Sequence, residues 1–318
     1  MGSVGWLADA SEESVRSALA GVWPDLSGRP IVLRPKVEQP NPLYWSGSAI
    51  VDGRFVVKFA WAEAPAIRVW REGLLLERLA AADAELPVPR VVHVSRQPAL
   101  AITEVVTGSP LRWEWADDRS EADTSRVGQD LGAFLARLHA VPADRILDDL
   151  PPFEPAPQAD THRLRTGYPA LVDRGRARLV LAWCDWVDDA LAPRDPAAEV
   201  LVHGDLHGYN QLWDHASIHL VSVVDFEETG VSEPEFDFRY LPGNSRSPAL
   251  TTSTIDAYEG LIGGRVDLRR VLAWNVRTHL GDALWRTEAK VPLPGGGDAA
   301  TWVDDLERRI SSFGFDPL

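Results

Sequence analysis

Cysteine occurs once in the 318 residues, at Cys184, which excludes an internal disulfide framework and fits a reducing, cytoplasmic setting. With Trp183 and Trp186 close by, that thiol reads as a core group rather than a nucleophile. No apolar run reaches membrane-spanning length, and the opening MGSVGWLADASEES has neither the basic nor the apolar region of a signal peptide. Its Met-Gly start does not continue as a myristoylation signal, because Trp6 stands where Ser or Thr is wanted. Basic residues are scarce beside acidic ones: 32 Lys and Arg against 47 Asp and Glu, a net charge of −15. That balance disfavours nucleic acid and an anionic membrane surface as main partners and favours a cationic ligand. No internal repeat is visible.

What the chain does hold is apolar material for a large core, 45% of its residues, enough for two lobes rather than one compact unit. Its most informative stretch is His203 to Asn210, HGDLHGYN, followed fifteen residues after the Asn by Asp225 in SVVDFEE. A loop of the form Asp-x-x-x-x-Asn places a carboxylate to accept a hydroxyl proton and, five residues on, an amide oxygen for a metal ion. Asp205 and Asn210 fit those positions. Strands over Gln211–Asp214 and Ile218–Val224 would carry Asp225 back to the same loop as an anionic ligand. Oxygen donors of this kind suit Mg²⁺ bridging substrate phosphates. Gly and Asp favour turns for backbone reasons alone, but a turn needs neither Asn210 nor Asp225.

HGDLHGYN, VVDFEETG and the later Gly230, Glu233, Pro234 and Asp237 together resemble the aminoglycoside phosphotransferase and choline kinase-like family of small-molecule kinases. The resemblance implies an α+β, protein-kinase-like bilobal fold: a nucleotide-binding lobe over 1–107, with an antiparallel sheet and one packed helix, and a mainly helical catalytic and substrate lobe over 108–318. It implies ATP or GTP as phosphoryl donor with Mg²⁺, and a small-molecule hydroxyl as acceptor. Lys58 at the end of a β-rich run and Glu72 on the following helix would pair to steady the phosphates. Ser46, Gly47 and Ser48 would approach the triphosphate, although no G-x-G-x-x-G occurs there. Ile102 to Gly108 resembles the hinge, with backbone groups of Glu104 and Val106 for a purine edge. Asp225 would bind metal, with Glu227 in reach of it; Asp237 and His203 would brace the loop, and His207 would face substrate or stand behind the site. His139 reads as a packed or capping histidine.

Between Asp225 and Phe238 six acids occur without a base. Glu228, Glu233 and Glu235 are candidates for substrate ammonium groups, as are Asp282 and Glu288 beside Trp285 on a later helix. An antibiotic kinase, a metabolic kinase and a nucleotide-binding pseudokinase all remain open at this stage, as does a monomer or homodimer.

Regular structure is expected as helices from Ser11 to Gly21, Ala66 to Ala82, Ser125 to His139, Arg176 to Leu191, Thr252 to Leu261, Asp267 to Glu288 and Ala300 to Phe313. Strands are expected over Ile31–Leu33, Leu43–Val51, Arg54–Lys58, Val88–Val94 and Leu100–Val105, and Pro151 to Pro157 should interrupt the helices as a mobile insert.

Overall fold

The computed structural model of the chain describes residues 3–34, 41–153, 155, 158–194 and 198–315. Helices α1 (Glu12–Val22) and α2 (Pro24–Ser27) precede strands β1 (Ile31–Leu33), β2 (Ser46–Val51) and β3 (Phe55–Ala60). Helix α3 (Glu63–Ala82) and strands β4 (Val91–Arg96) and β5 (Ala99–Glu104) complete an antiparallel sheet in the order β1-β2-β3-β5-β4. The alternation of β3 decides which residues face which layer. Phe55, Val57 and Phe59 point into a core with Val15 and Leu19 of α1, whereas Lys58 points to the opposite face, where α3 lies. Ser11 caps α1 by accepting the Ser14 amide, with Glu12 and Glu13 in its first turn.

Several boundaries differ from expectation for local reasons. Helix α3 starts at Glu63 because Pro65 in its first turn lacks only an N–H that would have no helical partner. Its fully buried positions include Val69, Glu72, Leu75 and Leu79 but also Arg68 and Arg71, while Ile67, Trp70 and Leu74 are only partly covered. Pro42–Tyr44 form a single 3₁₀ turn under an Asn41 cap, so β2 begins at Ser46 and not at Leu43.

The remainder contains β6 (Ser109–Pro110), α4 (Trp113–Asp117), α5 (Glu121–His139), α6 (Ala143–Leu147), α7 (Thr161–Gly167) and α8 (Arg174–Ala190). There follow β7 (Val200–Val202), β8 (Gln211–Asp214), β9 (His219–Val223), β10 (Gly230–Ser232) and α9 (Glu235–Phe238), then α10 (Ala249–Ile262), α11 (Leu268–Ala289) and α12 (Ala299–Ser312). Helix α5 is capped by Ser120, which accepts the Asp123 amide, one turn earlier than the expected Ser125. Pro151, Pro152 and Pro155 lie outside regular structure; residues 154, 156 and 157 of that stretch are outside the described residues. Strand β6 pairs with β8, so from Ser109 the chain joins the β8–β9 hairpin instead of the first sheet. Cys184 is buried with Trp183 and Val187 against Val276 and Leu280 of α11. Among the described residues no helix is long and apolar enough to cross a membrane.

Helices α5 and α10 approach closely at two glycines one turn apart. A Cβ on Gly132 would stand 2.6 Å from the Thr254 carbonyl oxygen and 2.9 Å from the Tyr258 amide nitrogen, both backbone atoms that cannot swing away. Gly132→Ala should therefore destabilise the fold by about 1–3 kcal/mol despite alanine's better helix propensity. Denaturant unfolding checks this; a variant as stable as the parent would mean that α10 can shift freely.

Candidate active site

The segment from Val200 to Asp225 is built as a strand, a tight loop and a hairpin. Strand β7 pairs with β10, and immediately after it the chain turns at Gly204, whose φ of 86° and lack of Cβ are both required, since a Cβ there would meet the Glu228 carbonyl oxygen at 2.2 Å. Asp237 holds this turn by accepting the amides of His203 (2.8 Å) and Gly204 (2.9 Å). Burial alone would raise the Asp237 carboxyl, but the His139 ring and the Gly204 amide keep it below its ordinary range. His139 in turn meets the Tyr258 hydroxyl at 2.9 Å, so it is a buried link between α5, α10 and Asp237.

His203 is fixed in one tautomer by its two neighbours. Its Nδ1 accepts the Asp205 amide at 3.1 Å, so Nε2 carries the proton and donates to the Val224 carbonyl at 3.0 Å. Burial outweighs the nearby carboxylates and keeps its pKa below the ordinary value, so the imidazole stays neutral. Asn210 donates through Nδ2 to the Asp205 carbonyl at 2.9 Å, and the Val224 amide returns to the Asn210 carbonyl at 2.9 Å. These bonds bring Asp225 beside the loop. Asp225 itself has a left-handed backbone, φ 70°, an uncommon conformation for a residue other than glycine.

Lys58 joins the sheet to this loop. Its Nζ donates to both oxygens of Glu72 at 2.7 Å and to Asp225 at 2.6 Å, while Glu72 also accepts the Phe226 amide at 3.0 Å. Burial would lower the lysine, yet the Asp225 and Glu72 charges hold it above its ordinary value. Burial likewise works against ionised Asp225, and the ammonium overcomes it. For Glu72 burial prevails and lifts the carboxyl, with Lys58 and the Phe226 amide pulling it back. Glu227, next to this group, is pushed up to about 8, first by burial and then by the Asp225 charge.

Asp205 receives the Tyr240 hydroxyl on Oδ1 at 2.7 Å, has Arg239 at 3.9 Å, and faces His207 Nε2 from Oδ2 at 3.5 Å. Burial raises the Tyr240 phenol far above its ordinary value, so the hydroxyl stays a donor. Tyr240 and Arg239 were not among the expected site residues, although they follow directly on the EFDF run; nothing in their spacing distinguishes them from core residues.

Other expected residues are engaged differently. Gly47 lies on the face of β2 away from Lys58: a Cβ there would stand 3.3 Å from the Phe59 and Trp61 rings, so its smallness serves aromatic packing. Ser48 is the cross-strand partner of Lys58 and shares its face, as does Ser46. Glu104 gives its carboxylate to Arg90 and its amide to the Arg90 carbonyl, and the Val105 amide goes to the Arg54 carbonyl. Each acid considered for substrate ammonium groups already has an arginine. Glu228 pairs with buried Arg68 at 2.7 Å, Glu233 with Arg270 at 2.5 Å and Glu235 with Arg194 at 3.0 Å. Asp282 pairs with Arg286 at 2.9 Å and Glu288 with Arg163 at 2.5 Å. Trp285 faces Tyr44 with ring centroids 6.0 Å apart. No group of three His, Cys, Asp or Glu side chains set to hold a metal ion occurs among the described residues; the oxygen set expected here has only two acids, and Asp225 is engaged by Lys58.

An antiparallel sheet whose lysine reaches a helix glutamate and an aspartate at the end of a later hairpin has the architecture of a kinase-like enzyme. The profile of the phosphotransferase enzyme family matches residues 41–274, and the chain belongs to that family, whose enzymes transfer a phosphoryl group to a hydroxyl. Solved structures agree on the fold. Aminoglycoside 2'-phosphotransferase-IIIa in complex with GDP is 16% identical with a TM-score of 0.70, covering 96% of this chain and 99% of that one. Macrolide 2'-phosphotransferase type I is 19% identical at 0.59, covering 89% and 94%. Macrolide 2'-phosphotransferase MphH from Brachybacterium faecium is 20% identical at 0.56, covering 87% and 93%.

The raised Glu227 gives a pH dependence of definite sign. Between its ordinary 4.5 and about 8 the folded, cation-free protein holds a proton that the unfolded chain has released. This contribution to stability is full below pH 4.5 and is lost as the pH rises through about 8. Glu227→Gln should flatten that part of the stability–pH curve in thermal unfolding; equal slopes in the two proteins would show that Glu227 ionises normally.

Proposed function

We propose that the chain is a cytoplasmic, ATP- or GTP-dependent O-phosphotransferase whose acceptor is a hydroxylated small-molecule antibiotic. The observation that carries this is continuity: hydrogen bonds link Glu72 to Lys58 and Lys58 to Asp225, and the amide of the adjoining Val224 bonds Asn210, which bonds Asp205. Phosphoryl transfer through a loose transition state needs mainly positioning and charge neutralisation, which such a run supplies. The names of the fold neighbours, aminoglycoside and macrolide phosphotransferases, are the ground for the class of acceptor, and the GDP complex is the ground for a nucleotide donor.

In this reading Lys58, held by Glu72, meets the donor phosphates, and Ser48 on the same face of the sheet lies beside them. The Glu104 carbonyl and the Val106 amide would meet the base, since the other polar groups of Glu104 are occupied. Asn210, Asp225 and Glu227 are the oxygen donors suited to Mg²⁺, because Asn210 spends its Nδ2 on the Asp205 carbonyl and keeps Oδ1. When bound, the ion neutralises charge on the phosphates. Asp205, with Oδ1 on Tyr240, presents Oδ2 to the acceptor hydroxyl. The acceptor oxygen forms its bond to the γ-phosphorus as the bond to the β-phosphate oxygen breaks, and the hydroxyl proton passes to Asp205.

Asp205→Ala should lower acceptor-dependent nucleotide turnover by about 10²–10⁴-fold with the fold intact; near-normal turnover would remove Asp205 from the chemistry. Tyr240→Phe frees the carboxylate to rotate and should lower kcat by up to about 10²-fold while nucleotide KM stays constant. A fall in nucleotide affinity without a change in kcat would make Tyr240 a packing residue only.

A further inference from the structure

Beside Asp205 lies a charge that the reaction as described so far does not use. The Arg239 side chain is only 1% exposed, and its guanidinium lies over the rings of Phe236 and Tyr240, 3.8 and 4.3 Å from their centroids. It donates through Nη1 to the Phe236 carbonyl at 2.8 Å and through Nη2 to the Gly204 carbonyl, both uncharged backbone groups. Among the described residues the single carboxylate within ion-pair distance is Asp205, whose Oδ1 stands 3.9 Å from Nη2. A buried guanidinium without a counter-charge is costly, so the charge of Arg239 depends on that acid. Its Nε is buried with no hydrogen-bond partner among the described residues, and an apolar side chain of similar length would fill the same place at lower cost. Packing alone gives no reason for the cation.

Three of its contacts converge on Asp205. The Gly204 carbonyl belongs to the peptide unit that leads into Asp205, and the amide of that unit is already bonded to His203. Nη2 also stands 3.4 Å from the Tyr240 hydroxyl oxygen, which donates in turn to Asp205 Oδ1 at 2.7 Å. A cation at the oxygen and over the ring of a phenol draws electron density from it and strengthens the hydroxyl as a donor. The Arg239 carbonyl accepts Nδ2 of Asn275, a fully buried residue of α11, at 2.7 Å, so the backbone that carries the cation is fixed to the helical layer.

We infer that Arg239 is a positioning residue for the transfer: its charge, acting directly and through the Tyr240 hydroxyl, holds Oδ1 of Asp205 so that Oδ2 alone faces the acceptor hydroxyl. This rests on the phosphotransferase reading above and adds to its site a residue outside the loop and hairpin. Arg239 acts through Asp205 and Tyr240 and needs no contact with substrate.

Two measurements on the full chain test the assignment. In thermal unfolding, the change in Tm caused by Arg239→Met should be smaller, or reversed, in an Asp205→Asn background, because there the methionine removes a buried cation that has already lost its counter-charge. Equal changes in the two backgrounds overturn the inference. In steady state, with Mg²⁺, ATP or GTP, and water as the acceptor, Arg239→Met should lower kcat by about 10- to 10²-fold with nucleotide KM constant. Arg239→Lys, which keeps a cation, should hold kcat about tenfold above that of the methionine variant. Equal losses in the two variants, or none in either, make Arg239 a packing residue and overturn the inference. Phosphate release that depends on Asp205, together with additive Tm changes, sinks the Arg239 assignment and leaves the phosphotransferase reading. Coupled Tm changes in a parent that releases no phosphate sink the phosphotransferase reading and leave only the pairing of Arg239 with Asp205.

Discussion

A lysine ammonium held between two carboxylates from distant parts of the chain is the constraint around which this molecule is arranged. Lys58 comes from the sheet, Glu72 from the helix packed on it, and Asp225 from the end of the β8–β9 hairpin, with all three bonds at 2.6–2.7 Å. Taking such a group out of water is costly unless the opposing charges are complete, so each partner fixes the other two. The same contact holds the left-handed Asp225 in place, because the Phe226 amide that follows it is bonded to Glu72. Arg71, adjoining Glu72, adds a second connection by donating to the Thr229 carbonyl at 2.9 Å, and Arg68 pairs with Glu228, so α3 is attached to the segment after Asp225 at several points.

The loop from His203 to Asn210 is organised around hydrogen-bond direction rather than charge. Asp237 accepts two consecutive amides, His203 accepts a third and donates to Val224, and Asn210 ties the end of the loop to its start. Asp205 is thereby held by its backbone before its side chain meets Tyr240. Precision in the carboxylate position comes from this shell of hydrogen bonds.

Net charge and local charge diverge in this protein. The chain carries −15 overall, yet Glu228, Glu233, Glu235, Asp282 and Glu288 each have an arginine within ion-pair distance. The long-range field still attracts cations, but these five carboxylates are already paired. A run of six acids without a base, read along the chain, suggested an ammonium site because its neutralising arginines come from residues 68, 194 and 270, far away in sequence.

Local patterns were legible where they depend on neighbours in sequence. The order β–Lys–helix–Glu, the Asp-x-x-x-x-Asn loop, the hairpin to Asp225 and most helices follow from periodicity, turn residues and spacing, and their ends moved only where Pro65, Pro42 or Ser120 supplied a local reason. Two residues of like appearance were separated only by the fold: strand alternation put Ser48 on the Lys58 face and Gly47 against Phe59 and Trp61. The residue types and spacings of the chemistry thus belong to the primary structure, since they rest on what a side chain is and how far along a loop it sits. Which acids keep their charge for a ligand, and which oxygen of Asp205 is already taken by Tyr240, was decided by tertiary packing, because pairing in space depends on distances that adjacency along the chain does not contain.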